Sequence, residues 1–103
     1  MKSFVTTAAI PLLALSLTPA FAQGAGSATY KAKCQMCHGV DGQPTAAGKS
    51  MKALPFNSPE LKKASTASLI ASVTNGKGKM PAYAGKLTDA QIKEVVEYTR
   101  TLQ

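Results

Sequence analysis

The segment Cys34-Gln35-Met36-Cys37-His38 concentrates the reactive and metal-binding side chains of this sequence. It contains both cysteines and the single histidine of the 103 residues. A disulfide between cysteines so close in sequence would remove little entropy from the unfolded chain. A thioredoxin-like redox pair needs a βαβ context, and the sequence shows no clear strands. A zinc site would need a fourth ligand, and the chain has no further cysteine or histidine to supply one.

The pattern C-x-x-C-H is instead typical of covalent haem attachment. Two thiols at this spacing on a helix end can add to the two vinyl groups of a haem, and the adjacent imidazole then lies beneath the iron. We therefore predict one haem c per chain, covalently attached through Cys34 and Cys37, with His38 as the proximal axial ligand. A bound haem would also stabilise a domain that is too small to bury a large core.

Because the sequence has no second histidine, the second axial position is left to methionine, lysine or water, or stays empty. Met36 lies between the two cysteines and cannot reach the opposite haem face. Met80 lies in the loop Gly76-Lys77-Gly78-Lys79-Met80-Pro81, whose glycines allow the backbone to turn and whose proline stiffens it. We expect Met80 to be the distal ligand, with Met51 as the alternative.

Residues 1–22 are typical of an export signal, with Lys2, an apolar run and small residues before a cleavage site after Ala22. The apolar run is too short to span a bilayer, and a proline interrupts it, so we expect no stable membrane insertion. We predict a cleaved secretory signal peptide over residues 1–22, one monohaem domain over residues 23–103, and a periplasmic location.

The chain is basic, with 12 Lys and Arg against 5 Asp and Glu and a net charge of +7. Lys2 is the one charged residue of the predicted signal peptide, so the remaining chain carries a net charge of +6. This charge favours redox partners with acidic docking surfaces. Export makes nucleic acid a poor candidate partner. We expect a monomer.

Three helices are predicted, after the N-cap residues Ser27, Ser65 and Thr88. The last has a capping-box pattern, because Gln91 follows Thr88 at the required spacing. Glycines and prolines are dense over residues 39–59, which predicts irregular chain with at most a short helical turn after Ser58.

With these features in place, the sequence resembles the class I cytochromes c, specifically the short bacterial periplasmic members with one haem. Three matches carry the resemblance: Tyr30 four residues before Cys34-Gln35-Met36-Cys37-His38-Gly39, the loop Gly76-Lys77-Gly78-Lys79-Met80-Pro81-Ala82-Tyr83, and the helix Ile92-Lys93-Glu94-Val95-Val96-Glu97-Tyr98-Thr99-Arg100-Thr101-Leu102. The resemblance implies an all-α class I cytochrome c fold, with three main helices and irregular loops wrapped around one haem. It also implies that the first and last helices cross near Gly26 and Tyr98.

In function, the resemblance implies a soluble single-electron carrier that cycles haem iron between Fe(II) and Fe(III), and no enzyme. It supports His38 and Met80 as axial ligands and implies that a carbonyl between residues 42 and 47 accepts a hydrogen bond from the His38 ring. It further implies an exposed haem edge ringed by charge, for which the candidates are Lys33, Lys49, Lys77, Lys79 and Lys86. Two alternatives stay open: a haem enzyme or ligand sensor with an open sixth position, and a dedicated electron-transfer subunit of a larger complex.

Overall fold

Helices joined by loops make up the part of the chain that the computed structural model describes. This part covers residues 20–103, with side chains described from residue 24. The helices are α1 (Ala20–Lys33), α2 (Gln35–His38), α3 (Ala46–Ser50), α4 (Pro59–Lys63), α5 (Thr66–Asn75) and α6 (Asp89–Arg100). Helices α1, α5 and α6 have 10 or more residues each, and the other three are short. Over residues 20–103, extended pairing is limited to two isolated bridges between α5 and α6. The predicted all-α fold with three main helices is confirmed.

Helix α6 begins where the capping box predicts. The Thr88 hydroxyl accepts a hydrogen bond from the Gln91 N–H at 3.1 Å, and the Gln91 side-chain oxygen accepts one from the Thr88 N–H at 2.9 Å. These two bonds satisfy backbone donors that a helix start leaves without partners. The helix then buries one apolar face, whose residues Ile92, Val95 and Val96 are each 1% exposed.

Helix α1 begins at Ala20, so the start predicted at Ser27 is wrong. Alanine has the highest helix propensity, and alanines at positions 20, 22 and 25 carry the helix through Ser27 without a break. The predicted signal peptide over residues 1–22 therefore overlaps the beginning of this helix. Most of that segment, residues 1–19, lies outside the described residues, and cleavage after Ala22 stays a prediction.

Helices α1 and α6 cross at Gly26. A Cβ atom placed on Gly26 would lie 2.4 Å from the Glu94 carbonyl oxygen and 3.0 Å from the Tyr98 Cβ atom. One turn further along α1, Tyr30 is 1% exposed, and its ring centroid lies 5.2 Å from that of Tyr98. The predicted crossing near Gly26 and Tyr98 is confirmed, and only glycine allows the two backbones to approach this closely.

The segment over residues 39–59 is less irregular than predicted, because it contains helix α3. Thr45 caps this helix, its hydroxyl accepting a hydrogen bond from the Gly48 N–H at 3.2 Å. Helix α4 follows Ser58, as predicted, with Pro59 in its first turn. The density of glycine and proline concealed α3, which is short and contains a glycine itself.

Helix α5 starts after Ser65 and ends at Gly76, whose φ of 77° favours glycine. Arg100, at the end of α6, forms hydrogen bonds with residues at the start of α5. Its Nε donates to the Thr66 hydroxyl at 3.0 Å, and its Nη2 donates to the Ala64 carbonyl. The start of α5 is therefore fixed against the end of α6. Across residues 20–103, no helix has the length and apolar character needed to cross a membrane.

Candidate haem-binding site

The C-x-x-C-H segment consists of Cys34, between α1 and α2, and of α2 itself. Cys34 lies at the turn, and its carbonyl accepts hydrogen bonds from the N–H groups of Cys37 at 3.2 Å and His38 at 3.0 Å. Both cysteines are half-buried and have free thiols. A single helical turn therefore holds the two thiols and the imidazole in one fixed local arrangement.

Helix α3 holds the backbone of this segment from the other side. The Thr45 N–H donates to the Cys37 carbonyl at 3.0 Å, and the Thr45 hydroxyl donates to the Met36 carbonyl at 2.6 Å. A Cβ atom on Gly48 would lie 2.0 Å from the Cys37 carbonyl oxygen. Thr45 and Gly48 were not predicted as functional residues, although a threonine followed by a short alanine run is an N-cap signal that indicates such a helix.

A cavity of about 820 Å³ borders the motif and brings the predicted site residues together. This volume falls within the range of about 300–1,000 Å³ that is typical of small-molecule sites. Cys34, Cys37, His38 and Met80 all line it. The other walls are largely apolar and include Leu61, Leu69, Val73, Val95 and Val96.

The His38 imidazole is suited to metal ligation. Burial lowers the pKa of His38 below its ordinary value, so the ring is neutral at pH 7, the form in which a nitrogen lone pair is available to a metal. Its Nδ1 atom is buried, and no group among the described residues forms a hydrogen bond with it. The prediction that a carbonyl between residues 42 and 47 accepts a hydrogen bond from the His38 ring is therefore wrong. The Gly42 carbonyl, one of the candidates, accepts a hydrogen bond from the Phe56 N–H at 3.1 Å.

The two thiols do not resemble a dithiol redox centre. Burial, with a smaller contribution from Cys37, raises the pKa of Cys34 to about 11. Dithiol redox centres act through a thiolate whose pKa is lowered by its surroundings. The Cys34 thiol is instead protonated at neutral pH, so its environment does not favour thioredoxin-like chemistry.

Met80 lies in a loop that is tied to the end of α5. The Lys77 N–H donates to the Met80 carbonyl at 3.2 Å, and the Met80 N–H donates to the Lys77 carbonyl at 3.0 Å. Further along the loop, the Tyr83 N–H donates to the Val73 carbonyl at 3.0 Å. The backbone on both sides of the Met80 thioether is therefore anchored, and the side chain is half-buried at the cavity wall.

Two other methionines also line the cavity. Met36 is 81% exposed and lies between the two cysteines. Met51 directly follows α3, the helix that packs on the backbone of Cys37. Met51 thus approaches the cavity from the element that also supports the His38 segment, whereas Met80 approaches from the separate loop after α5.

The cavity lining carries an excess of positive charge. Three of the five lysines expected to surround a haem edge are among its lining residues, namely Lys33, Lys77 and Lys79. Lys49 and Lys86 are exposed but outside the lining. Lys52, which is not among those five, also lines the cavity, and its φ of 63° is unusual for a residue other than glycine. Nothing in the sequence around Lys52 signals that conformation.

These residues fit a covalently bound haem. Two free thiols at C-x-x-C spacing, a neutral imidazole and a thioether lie around one largely apolar cavity. Thiols form the thioether bonds, and imidazole and thioether are ligands that haem iron accepts.

Comparison with known proteins agrees with this geometry. Residues 21–98 match the protein family described as cytochrome c oxidase, cbb3-type, subunit III. The chain is 34% identical over 103 residues to cytochrome c6 of Synechococcus sp. (strain ATCC 27167 / PCC 6312), covering 95% of this chain and 90% of that protein. It is 40% identical over 76 residues to cytochrome c6 of Leptolyngbya boryana, covering 72% of this chain and 85% of that protein. A solved structure, KustC0563 c-type cytochrome, superposes with a TM-score of 0.71 at 32% identity, covering 76% of this chain and 96% of that one.

A small helical protein with one C-x-x-C-H motif beside one cavity is a c-type cytochrome with a single haem. This chain belongs to the class I monohaem c-type cytochromes, and cytochromes c6 are among its relatives. It carries a covalently attached haem c. It is an electron carrier that exchanges electrons with redox partners, and it is not an enzyme.

Proposed function

We propose that Cys34 and Cys37 bind the haem through thioether bonds and that His38 and Met80 are its axial ligands. The observation that supports this assignment best is that His38 and Met80, supplied by separate elements, line one cavity together with both thiols. We further propose that the protein is soluble and monomeric and that it acts in the periplasm.

The ligand set explains why the site transfers electrons. Haem c, when bound, supplies a one-electron couple between Fe(II) and Fe(III). The soft thioether of Met80 favours the reduced state relative to a second imidazole. With His38 and Met80 as axial ligands, the protein leaves no coordination position for a substrate. A haem enzyme or ligand sensor, the alternative function, would need such an open position.

The Met80 assignment is tested by comparing two variants, Met80→Ala and Met51→Ala. We expect Met80→Ala to keep its covalent haem but to lose the low-spin ferric spectrum and the weak band at the red edge of the visible range that reports methionine sulfur on ferric haem. Met51→Ala should keep both features. A normal spectrum in Met80→Ala, with loss of the band in Met51→Ala, would show that Met51 is the ligand.

Export is tested by intact mass and N-terminal sequencing of the protein recovered from the periplasmic fraction. The sequence of residues 1–22 supports a cleaved signal, so the mature chain is expected to begin at Gln23 and to carry the added mass of one haem. The crossing at Gly26 lies after the cleavage site and would be kept. Recovery of a membrane-bound chain that retains residues 1–22 would contradict the proposal.

Docking on acidic partners is supported by the charges around the cavity. Four lysines line it, Lys33, Lys52, Lys77 and Lys79, together with one acidic residue, Glu60. A concentration of one charge sign at the site of electron transfer speeds encounter with oppositely charged partners. We propose that redox partners approach this face with an acidic surface.

A further inference from the structure

The face of the His38 imidazole is covered by the ring of Phe56. The two ring centroids are 4.8 Å apart, and the ring planes differ by 24°, which is a stacked arrangement. In metal sites the orientation of a histidine is usually fixed by a hydrogen bond from its second ring nitrogen. Here no described residue forms such a bond with the buried Nδ1 of His38. The stack with Phe56 is instead a direct contact between this ring and a residue distant from it in sequence.

Phe56 is itself held in place by Gly42. The Phe56 N–H donates to the Gly42 carbonyl at 3.1 Å, which fixes the backbone of the aromatic residue. Gly42 has a φ of 84°, and a Cβ atom at this position would lie 2.7 Å from the Phe56 Cδ2 atom. The absence of a side chain at Gly42 thus leaves the space that the Phe56 ring occupies.

A second aromatic contact connects Phe56 to the core. The rings of Tyr30 and Phe56 meet edge to face, with centroids 6.2 Å apart and planes at 60°. Tyr30 is 1% exposed, packs against Tyr98, and donates its hydroxyl proton to the Gly39 carbonyl. Phe56 therefore lies between the buried Tyr30 ring at the α1–α6 contact and the imidazole of His38.

We propose that Phe56 is a positioning residue that fixes the plane of the His38 imidazole by stacking on it. This inference rests on the axial role proposed above for His38. Rotation of the imidazole about its Cβ–Cγ bond would drive its edge into the Phe56 ring, which Gly42 and Tyr30 keep from moving away. The imidazole keeps one plane in both oxidation states, so electron transfer involves little rearrangement of this ligand.

The first experiment is a proton NMR spectrum of the reduced, diamagnetic wild-type holoprotein. The proposal predicts nuclear Overhauser effects between the ring protons of His38 and those of Phe56. Absence of these effects in a protein whose optical spectrum shows His/Met ligation would overturn the proposal and leave the axial role of His38 intact. A spectrum without histidine ligation would instead overturn the proposed function.

The second experiment compares haem-methyl proton shifts of the oxidised holoproteins, because these shifts depend on the plane of the axial imidazole. Phe56→Leu keeps an apolar side chain but removes the ring, and we expect it to change the spread of the methyl resonances. Phe56→Tyr keeps the ring and should restore the wild-type pattern. Ile92→Val, a core change on α6 outside the cavity lining, is the control for reduced stability and should also keep the wild-type pattern.

An unchanged spread of methyl resonances in Phe56→Leu would show that Phe56 only fills the core, and would overturn the proposal. If Phe56→Leu yields no holoprotein, the Overhauser measurement on the wild type decides the question alone, because it requires no substitution.

Discussion

Gly48 shows how closely a single residue can be constrained by the attachment motif. It lies inside α3, where glycine is normally unfavourable, yet a Cβ atom there would overlap the Cys37 carbonyl. The neighbouring contact is backbone, so it cannot move aside as the end of a flexible side chain would. Because Gly48 has no side chain, α3 lies close enough to the motif for Thr45 to form hydrogen bonds with the carbonyls of Met36 and Cys37.

We predict that Gly48→Ala reduces the free energy of unfolding by about 1–3 kcal/mol, the range typical of overpacking. The measurement is chemical denaturation of the holoprotein, followed by far-UV circular dichroism. Lys49→Ala, at an exposed position of the same helix, is the control and should change stability by less than about 0.5 kcal/mol. Equal stability of Gly48→Ala and the wild type would contradict the close contact with Cys37.

At the scale of the elements, the contact between α1 and α6 is the main support of the site. Tyr30 of α1 is fully buried there and packs against Tyr98 of α6. Cys34 follows directly after α1, so the position of the motif depends on how α1 lies on α6. The approach of the two helices at Gly26 therefore affects the haem site as well as the core.

We expect Gly26→Ala to weaken this contact, because its Cβ atom would overlap the Glu94 carbonyl. The predicted loss is about 1–3 kcal/mol in the free energy of unfolding. Gly24→Ala is a matched control on the same helix, since a Cβ atom there meets nothing within 4 Å. It should be neutral or stabilising by up to about 1 kcal/mol, because alanine favours helix more than glycine does. Equal losses in both variants would refute the crossing.

Much of this element structure could be predicted from the sequence. The starts of α4, α5 and α6 follow capping residues, whose signal is local, and all three are confirmed. The start of α1 differs from the prediction because alanines extend the helix past Ser27, and α3 escapes prediction because it is short and lies among glycines and prolines. Cys34, Cys37, His38 and Met80 line one cavity, as the C-x-x-C-H motif and the Met80 loop suggested. The sequence around Phe56 contains no signal of its stacking on His38, since a contact between residues far apart in sequence depends on the tertiary fold.

At the scale of the whole molecule, the fully buried apolar core is small for a folded domain. Within the described residues it consists of Tyr30, Ile92, Val95 and Val96. Other apolar side chains, including Leu69 and Val73, are only half-buried and line the cavity. A domain of this size needs a further stabilising group, and a haem against these side chains would provide it. The same group thus stabilises the fold and carries the electron.

The net charge leads to a prediction about electron-transfer rates. Because the chain after the predicted cleavage carries a net charge of +6, oxidation of the reduced protein by the anionic complex ferricyanide should slow as ionic strength rises. Lys79→Glu reverses a charge at the cavity and should lower the rate at low salt several-fold. Lys93→Glu, an exposed position on α6 outside the cavity lining, changes the net charge equally and should have the smaller effect. Equal effects of the two variants would contradict docking at this face.

In the proposed site, His38 and Met80 fill both axial positions of a covalently bound haem. The most direct test is the optical spectrum of the purified mature protein, recorded in the oxidised and reduced states. We predict low-spin spectra in both states and, in the oxidised state, the weak red band of methionine sulfur on ferric haem. A high-spin spectrum, or ready binding of carbon monoxide to the reduced protein, would show an open sixth position and contradict this pair of ligands.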